Sequence, residues 1–336
     1  MKVVVLTTSY PRDEHDPSGS FVAAGVRAAE SRGIEIEVVS PASFSGFGLA
    51  YGGGIVQNLR AAPWKLALVP PFLAAYARAA RRATRDADLV HAHWIPSAFA
   101  ARATGRPYVL QLWGTDVVLA RRAPALARPL VAGACIVIAA SAELAGAARS
   151  LGARAVEVIP TAVELPAAVG APDEPPHVLF AGRLSEEKGI LEFLEATEGL
   201  PRVVVGDGPL RSRVPEAVGF VAPAEMTPYY RRAAVVCIPS RREGYGMVAR
   251  EAMAHGRAVV AAAVGGLPDA VADGQTGLLV PPGDVGALRR AVETLLANPD
   301  EAAVLGARAR EWAARELDPA LFAERLERVY REARPS

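Results

Sequence analysis

The stretch "ELPAAVGAPDEPPH" (residues 164–177) divides the chain. It is rich in proline and lacks any periodicity, so it joins elements rather than continuing one. On its amino side, short apolar runs alternate with Ala-rich helical patterns. The runs are VVVLTT (3–8), EIEVVSP (35–41), LVHAHW (89–94), YVLQLW (108–113), CIVIAAS (135–141) and VEVIP (156–160), with a helix over 21–33 after the first. On its carboxyl side the rhythm restarts with VLFAGRL (178–184), a helix over 187–198, RVVVGDGP (202–209) and VVCIPS (235–240). It continues with a helix over 246–255, AVVAAAVGG (258–266), GLLVPPGD (277–284) and a helix over 284–297. Nearly continuous apolar strands separated by helices predict parallel sheets covered on both faces. The expected fold class is α/β: two Rossmann-like, doubly wound domains facing across a cleft. Ligands of such sheets bind beyond the carboxyl ends of the strands, so the loops that follow strands carry the chemistry.

Bulk properties narrow the function. A length of 336 residues suits two domains, and 51% hydrophobic against 22% charged residues is an ordinary globular balance. The net charge of +1 gives no electrostatic footprint for nucleic acid. Cys135 and Cys237 each lie in an apolar run, which predicts buried free thiols in a reducing compartment. MKVVVLTTSYPRDEHD is a strand and a polar loop, not a secretory leader. No run reaches the roughly 18–20 apolar residues of a membrane span. A cytoplasmic protein is expected, with peripheral contact at the inner face of the membrane left open.

Several strand-end loops hold groups suited to an anionic ligand. The segment PSGSF (17–21) enters a helix, where Gly19 can expose backbone N–H groups, although capping by Ser18 or Ser20 explains it equally well. In "GRLSEEKG" (182–189), Arg183 and Lys188 bracket a loop that enters a helix. Both cations can hold phosphate oxygens; a helix start with solvated charges is the plainer alternative. Gly206-Asp207-Gly208-Pro209 forms a turn after another strand. In "SRREGYGMVAREAMAHG" (240–256), Glu243 and Glu251 are separated by seven residues. Gly244, Tyr245 and Gly246 follow the first glutamate and allow backbone to approach a ligand at the start of a helix. Glu251 sits among Val248, Ala252 and Met253, where a carboxylate needs hydroxyl or amide partners, and a sugar or ribose diol could supply them.

In LVHAHW, alternation puts His91 and His93 on one face of a strand. His93, beside Trp94, is the candidate for a polar contact with substrate, and His91 is equally a core histidine. Asp116 closes the next strand at the same rim. Neither histidine has partners at a metal-ligand spacing. Asp86-Ala87-Asp88 resembles a metal-binding DxD, but it precedes a strand and so lies away from the ligand end.

Together these residues resemble the retaining GT-B glycosyltransferases of family 4, the E-x7-E type also described as glycosyl transferases group 1. The matching segments are "GRLSEEKG" (182–189), "GDGP" (206–209), "PSRREGYGMVAREAMAHGRAVVAAAVGGLPD" (239–269) and "DGQTGLLVPPGD" (273–284). "HAHW", "WGTD" and "SAELAGAARSLGARAVEVIP" match more loosely. The resemblance implies residues 1–165 as an acceptor-binding domain, 172–318 as the nucleotide-sugar-binding domain, and 319–336 as a helix packing back on the first. It implies a nucleotide-diphospho-sugar donor as substrate, with no cofactor and no metal. Arg183 and Lys188 would hold the diphosphate and Glu243 the sugar. Backbone from Gly244 through Tyr245 and Gly246 to Met247, together with Gly206, would line the donor. Glu251 would take the ribose hydroxyls, Gly19 would approach the diphosphate, and His93 would stand by the transferred sugar. Ser18, Trp94 and Asp116 would face an acceptor hydroxyl borne by a glycan, a lipid-linked group or a small molecule.

The sequence departs from the family at Ser18-Gly19, where two glycines are common, and at Ile159-Pro160-Thr161-Ala162, where "IPNG" is common. These departures point to a different donor or acceptor fit, and they put a donor role for Thr161 in doubt. Two alternatives keep the fold and change the activity: a sugar-nucleotide 2-epimerase and a non-catalytic sugar-nucleotide binder. A nicotinamide dehydrogenase is disfavoured, because no strand is followed by GxGxxG. Finally, "APWKLALVPPFLAAYARAARRATR" (62–85) is either a helix on the sheet with solvated arginines, the commoner case, or a basic amphipathic helix at an anionic membrane.

Overall fold

The computed structural model describes residues 1–13, 16, 18–51 and 55–334. Among these residues the chain forms two compact units: Met1–Thr161 with Ala320–Ser336, and Ala162–Pro319. The first unit runs β1 (Lys2–Leu6), α1 (Ser20–Ser31), β2 (Glu35–Val39), α2 (Ile55–Ala61), a 3-10 turn (Pro63–Leu68) and α3 (Val69–Ala83). It continues with β3 (Leu89–His93), α4 (Ile95–Thr104), β4 (Tyr108–Leu112), α5 (Thr115–Arg122), α6 (Pro124–Ala132), β5 (Ile136–Ala139), α7 (Ala142–Ser150) and β6 (Val156–Val158). The second unit holds β7 (Val178–Ala181), α8 (Ile190–Ala196), β8 (Arg202–Val205), α9 (Thr227–Arg232) and β9 (Val235–Ile238). After these come α10 (Met247–Ala254), β10 (Ala258–Ala262), β11 (Leu278–Val280), α11 (Val285–Ala297) and α12 (Pro299–Glu316). The last helix, α13 (Pro319–Ala333), lies almost wholly within the first unit.

Both sheets are parallel, ordered β2-β1-β3-β4-β5-β6 and β11-β10-β9-β7-β8. Central strands such as β3, β4, β9 and β10 are buried along their whole length because helices cover both faces, which is why they read as unbroken apolar runs. The outermost β2 alternates instead, with Glu35 and Glu37 exposed. In each sheet the strand order reverses once, between β1 and β3 and between β7 and β9. At such a switch point the loops part and leave a crevice beyond the carboxyl ends.

Helix α13 closes one face of the first unit. Phe322, Leu326, Val329 and Tyr330 form its buried stripe, and Glu327 pairs with Arg32 at 2.7 Å. A buried aromatic or leucine side chain contributes about 1.5–3 kcal/mol, so this stripe is a substantial part of the unit's core.

Several expectations need correction. Cys135 is exposed, because β5 begins one residue later and the cysteine stands at the strand's amino end; Cys237 is buried as expected. The helix expected over 187–198 is a 3-10 turn (Glu186–Lys188) followed by α8, since Gly189 between them adopts φ 71° in the left-handed region. The segment 62–85 splits into the 3-10 turn and α3, whose Phe72, Tyr76 and Ala80 are buried while Arg78, Arg81 and Arg82 are exposed; Arg85, just past the helix, is exposed too. Ser18 and Ser20 do not cap α1: Gly19 is the N-cap, with no side-chain hydrogen bond. Pro17 lies outside the described residues.

Candidate active site

At the β7/β9 switch point two loops are tied together. Gly189 packs so tightly on the Pro239 carbonyl that a Cβ there would fall on the oxygen. The Arg241 amide donates to the Glu187 carbonyl at 2.9 Å, and Arg241 Nε donates to Glu192 Oε1 at 2.5 Å. This brings Lys188 Nζ to 2.7 Å from Glu243 Oε2, which also accepts from the Ser240 hydroxyl at 3.2 Å. The lysine is about one-third exposed and the glutamate largely covered, so the pair faces solvent from its lysine side. Two residues expected at separate parts of a ligand are thus direct partners. Arg183 is exposed at the end of β7.

The helix after Glu243 begins without a side-chain cap. Its N-cap Gly246 has φ 83° and ψ 54°, and an added Cβ would meet Leu267 Cδ2 at 2.7 Å. Amides of the first helical turn lack intrahelical acceptors, so the start of α10 presents donors and the positive end of a dipole. By contrast, Ser141 and Asp284 cap α7 and α11 with their side chains.

Buried Arg250 sets the shape of this loop, and it was not picked out in the sequence. Its guanidinium donates to the Tyr245 and Gly266 carbonyls and lies 3.7 Å from the Tyr245 ring centroid. Burial depresses its pKa. The signal was available, because a charge flanked by Ala249, Ala252 and Met253 raises the same question as Glu251. Tyr245 is itself buried, so its backbone is the part suited to a ligand. Glu251 Oε2 accepts from the Tyr230 hydroxyl at 2.6 Å. Loss of water raises the Glu251 pKa, and Tyr230 opposes that shift. Gly206 donates its amide to Gly219 at 2.8 Å, and a Cβ there would collide with the Gly182 carbonyl. Its place in the site is to let the ends of β7 and β8 close together.

In the first unit, Gly19 (φ 66°) and His93 stand at the β1/β3 switch point. A Cβ on Gly19 would fall on the Ser9 carbonyl oxygen. The Ser18 amide donates to Asp16 at 3.0 Å, which orders the turn into α1. His93 is enclosed by aromatic rings: Trp113 at 5.8 Å and 13° between planes, and Trp94 at 6.3 Å. Phe21 lies 4.3 Å from Trp113. Trp113 Nε1 donates to His93 Nδ1 at 3.2 Å. Trp94 holds φ 65°, a costly conformation for a bulky residue, and its amide donates to Gln111 at 3.0 Å. His91 Nδ1 lies 2.7 Å from the Tyr330 hydroxyl of α13, and the two histidine rings are 4.2 Å apart. Burial lowers the His91 pKa to about 3 and holds His93 well below the usual histidine value.

Asp116, expected on the acceptor side, is engaged by backbone. Its carboxylate accepts from the amides of Trp113, Gly114 and Val117 through one oxygen and Ile95 through the other, at 3.0–3.3 Å. It fixes the loops that start α4 and α5. Burial raises its pKa, and the four amides pull it back. Asp86 and Asp88 lie before β3 and are engaged by Lys2 and Arg334.

Comparison with known proteins follows this division of the chain. Residues 19–166 match the Glycosyltransferase Family 4 model, and residues 175–298 match the model for glycosyl transferases group 1. Both halves of this chain are glycosyltransferase domains. The glycosyltransferase is 27% identical to the putative teichuronic acid biosynthesis glycosyltransferase TuaC of Bacillus subtilis (strain 168), over 87% of this chain and 88% of that protein. It is 39% identical to a D-inositol 3-phosphate glycosyltransferase of Mycobacterium sp. (strain KMS), over 39% of this chain and 35% of that protein. Sucrose-phosphate synthase from Thermosynechococcus elongatus has a similar fold (TM-score 0.81, 22% identity, 98% of each chain). So does Anabaena HepE, solved in complex with UDP-glucose (TM-score 0.74, 20% identity, 98% and 99% of the chains). Those neighbours give the glycosyltransferase its fold name, GT-B.

Proposed function

We propose that this chain moves a sugar from a nucleotide-diphospho-sugar to a hydroxyl acceptor, with retention of anomeric configuration and without a metal ion. The observation that carries the proposal is the Lys188–Glu243 pair at the β7/β9 switch point, with Glu243 only three residues ahead of the uncapped start of α10. In this reading Lys188, Arg183 and the amides at Gly244–Met247 counter the charge that grows on the departing diphosphate. Glu243 accepts from a sugar hydroxyl and faces the positive charge of an oxocarbenium-like transition state. Glu251, oriented by Tyr230, accepts from the ribose hydroxyls. The bond between the anomeric carbon and the diphosphate oxygen breaks, and the acceptor oxygen bonds to that carbon on the same face. The acceptor's proton leaves on the diphosphate. Gly19 and His93 are assigned to the diphosphate and the transferred sugar, and Ser18 and Trp94 to the acceptor side.

Anabaena HepE binds UDP-glucose, so UDP-sugars are the first donors to test. Thermal-shift screening should give a raised midpoint with one nucleotide sugar, because a ligand that binds only the folded state stabilises it. Transfer should survive EDTA. Loss of transfer in EDTA, or isomerised donor in the absence of acceptor, would overturn the reading.

The acceptor part of the proposal is a membrane-borne hydroxyl. Trp64 and Leu66 of the 3-10 turn are 68% and 61% exposed, and Arg78, Arg81 and Arg82 of α3, with Arg85 just beyond it, are exposed as well. Residues 60–140 hold eleven Lys and Arg against three Asp and Glu, so this region is cationic although the chain is nearly neutral. Apolar anchors beside arginines suit an anionic bilayer. The protein should co-sediment with anionic vesicles at low salt and not with zwitterionic ones. Equal recovery with both would overturn this part.

A further inference from the structure

We infer that Trp113 fixes His93 in the tautomer that carries its proton on Nε2, so that the site uses this ring as an uncharged hydrogen-bond donor and not as an acid or base. The inference deepens the proposed function, which places His93 beside the reacting sugar.

The indole N–H of Trp113 can only donate. Trp113 Nε1 donates to His93 Nδ1 at 3.2 Å, so Nδ1 must offer its lone pair. A neutral imidazole with Nδ1 accepting has its proton on Nε2. The two rings lie within 13° of parallel, with their centroids 5.8 Å apart. A second proton would have to go on Nδ1, where it would point at the indole N–H and break the bond. The surroundings oppose that proton too. His93 is 3% exposed, and the ring behind it is another histidine, 4.2 Å away. His91 is itself held at Nδ1 by Tyr330 from α13, so it has little freedom to turn away. Nε2–H is then the ring's one donor, and the proposed function offers it to an oxygen of the transferred sugar. Trp113 is therefore a positioning residue that acts through His93.

The test reads the tautomer directly. Long-range proton–nitrogen spectra of the intact protein, with the His93 signals identified by their loss in His93→Gln, should show neutral His93 protonated at Nε2 at neutral pH. A signal protonated at Nδ1, or at both nitrogens, would overturn the inference. In Trp113→Phe, which keeps a ring and removes the donor, the Nδ1–H form should appear. Turnover should fall roughly three- to tenfold, the effect of one neutral hydrogen bond, with little change in donor KM. His93→Gln supplies an amide N–H but cannot take up a proton, so it should retain far more activity than His93→Ala. Glutamine as inactive as alanine, in a folded protein, would show acid–base use and sink the idea. If no variant and no wild-type preparation transfers sugar, the functional proposal fails, while the nitrogen spectra still decide the tautomer. If Trp113→Phe does not fold, the wild-type spectrum and the Gln/Ala comparison decide it.

Discussion

Lys188 Nζ stands 2.7 Å from Glu243 Oε2, although 55 residues separate them. The contact exists because β9 lies beside β7 in the sheet, which puts the loops that follow them side by side. Removing the lysine deletes one of the two positive charges assigned to the proposed leaving group. Lys188→Ala should lower kcat by about 10²–10³, the cost of one preorganised electrostatic contact. The partly exposed pair is worth less than about 1 kcal/mol to stability, so the thermal midpoint should hardly move. A variant that transfers sugar at the wild-type rate would refute the assignment.

Tyr230 donates to one oxygen of Glu251 at 2.6 Å, and the proposed function gives the other to the ribose. Tyr230→Phe should raise the donor Kd by roughly three- to tenfold, because the carboxylate loses its orienting partner. Titration calorimetry with the nucleoside diphosphate measures this. An unchanged Kd would remove Glu251 from the binding site.

The two glycine N-caps of the second unit should differ in their tolerance of alanine. At Gly246 the new methyl meets the flexible end of Leu267, and the left-handed conformation alone costs about 1–2 kcal/mol. At Gly189 the methyl meets the Pro239 carbonyl as well, and backbone must move. Gly189→Ala should therefore lower the chemical-denaturation midpoint more than Gly246→Ala. The reverse order would contradict the close packing of the two loops.

Acid should weaken the first unit through its histidines. His91 titrates at about 3 and His93 also lies well below its ordinary value. Unfolding returns each to about 6.5. Between these values the unfolded chain binds more protons, so stability is fully present above about pH 6.5 and falls as pH drops. Each histidine contributes a slope of up to about 1.4 kcal/mol per pH unit. Midpoints measured from about pH 7 to 5 should decline, and less steeply in His91→Asn. Equal slopes would mean that the imidazole of His91 is not buried.

Much of the fold was legible because burial on both faces writes strands as unbroken apolar runs, and the proline-rich 164–177 marks the break between rhythms. The individual site residues were legible from strand-end position and residue type. Their partnerships were not. Nothing in the spacing of Lys188 and Glu243 says that they touch, because that follows from strand order. Asp116 read as a rim carboxylate, yet it holds four amides of neighbouring loops. Cys135 read as buried because one residue of register at a strand end decides exposure. Arg250 was passed over although its apolar neighbours were plain to see.

The chain leaves the first unit after Thr161 and re-enters it near Pro319. During synthesis the ribosome therefore delivers the sheet that holds His91 long before it delivers Tyr330. Until the whole second unit has emerged, the apolar face of the first stays uncovered and His91 stays without its hydroxyl. A chain that stops before Pro319 lacks all of α13, so the face that Phe322, Leu326 and Tyr330 cover would stay open to water.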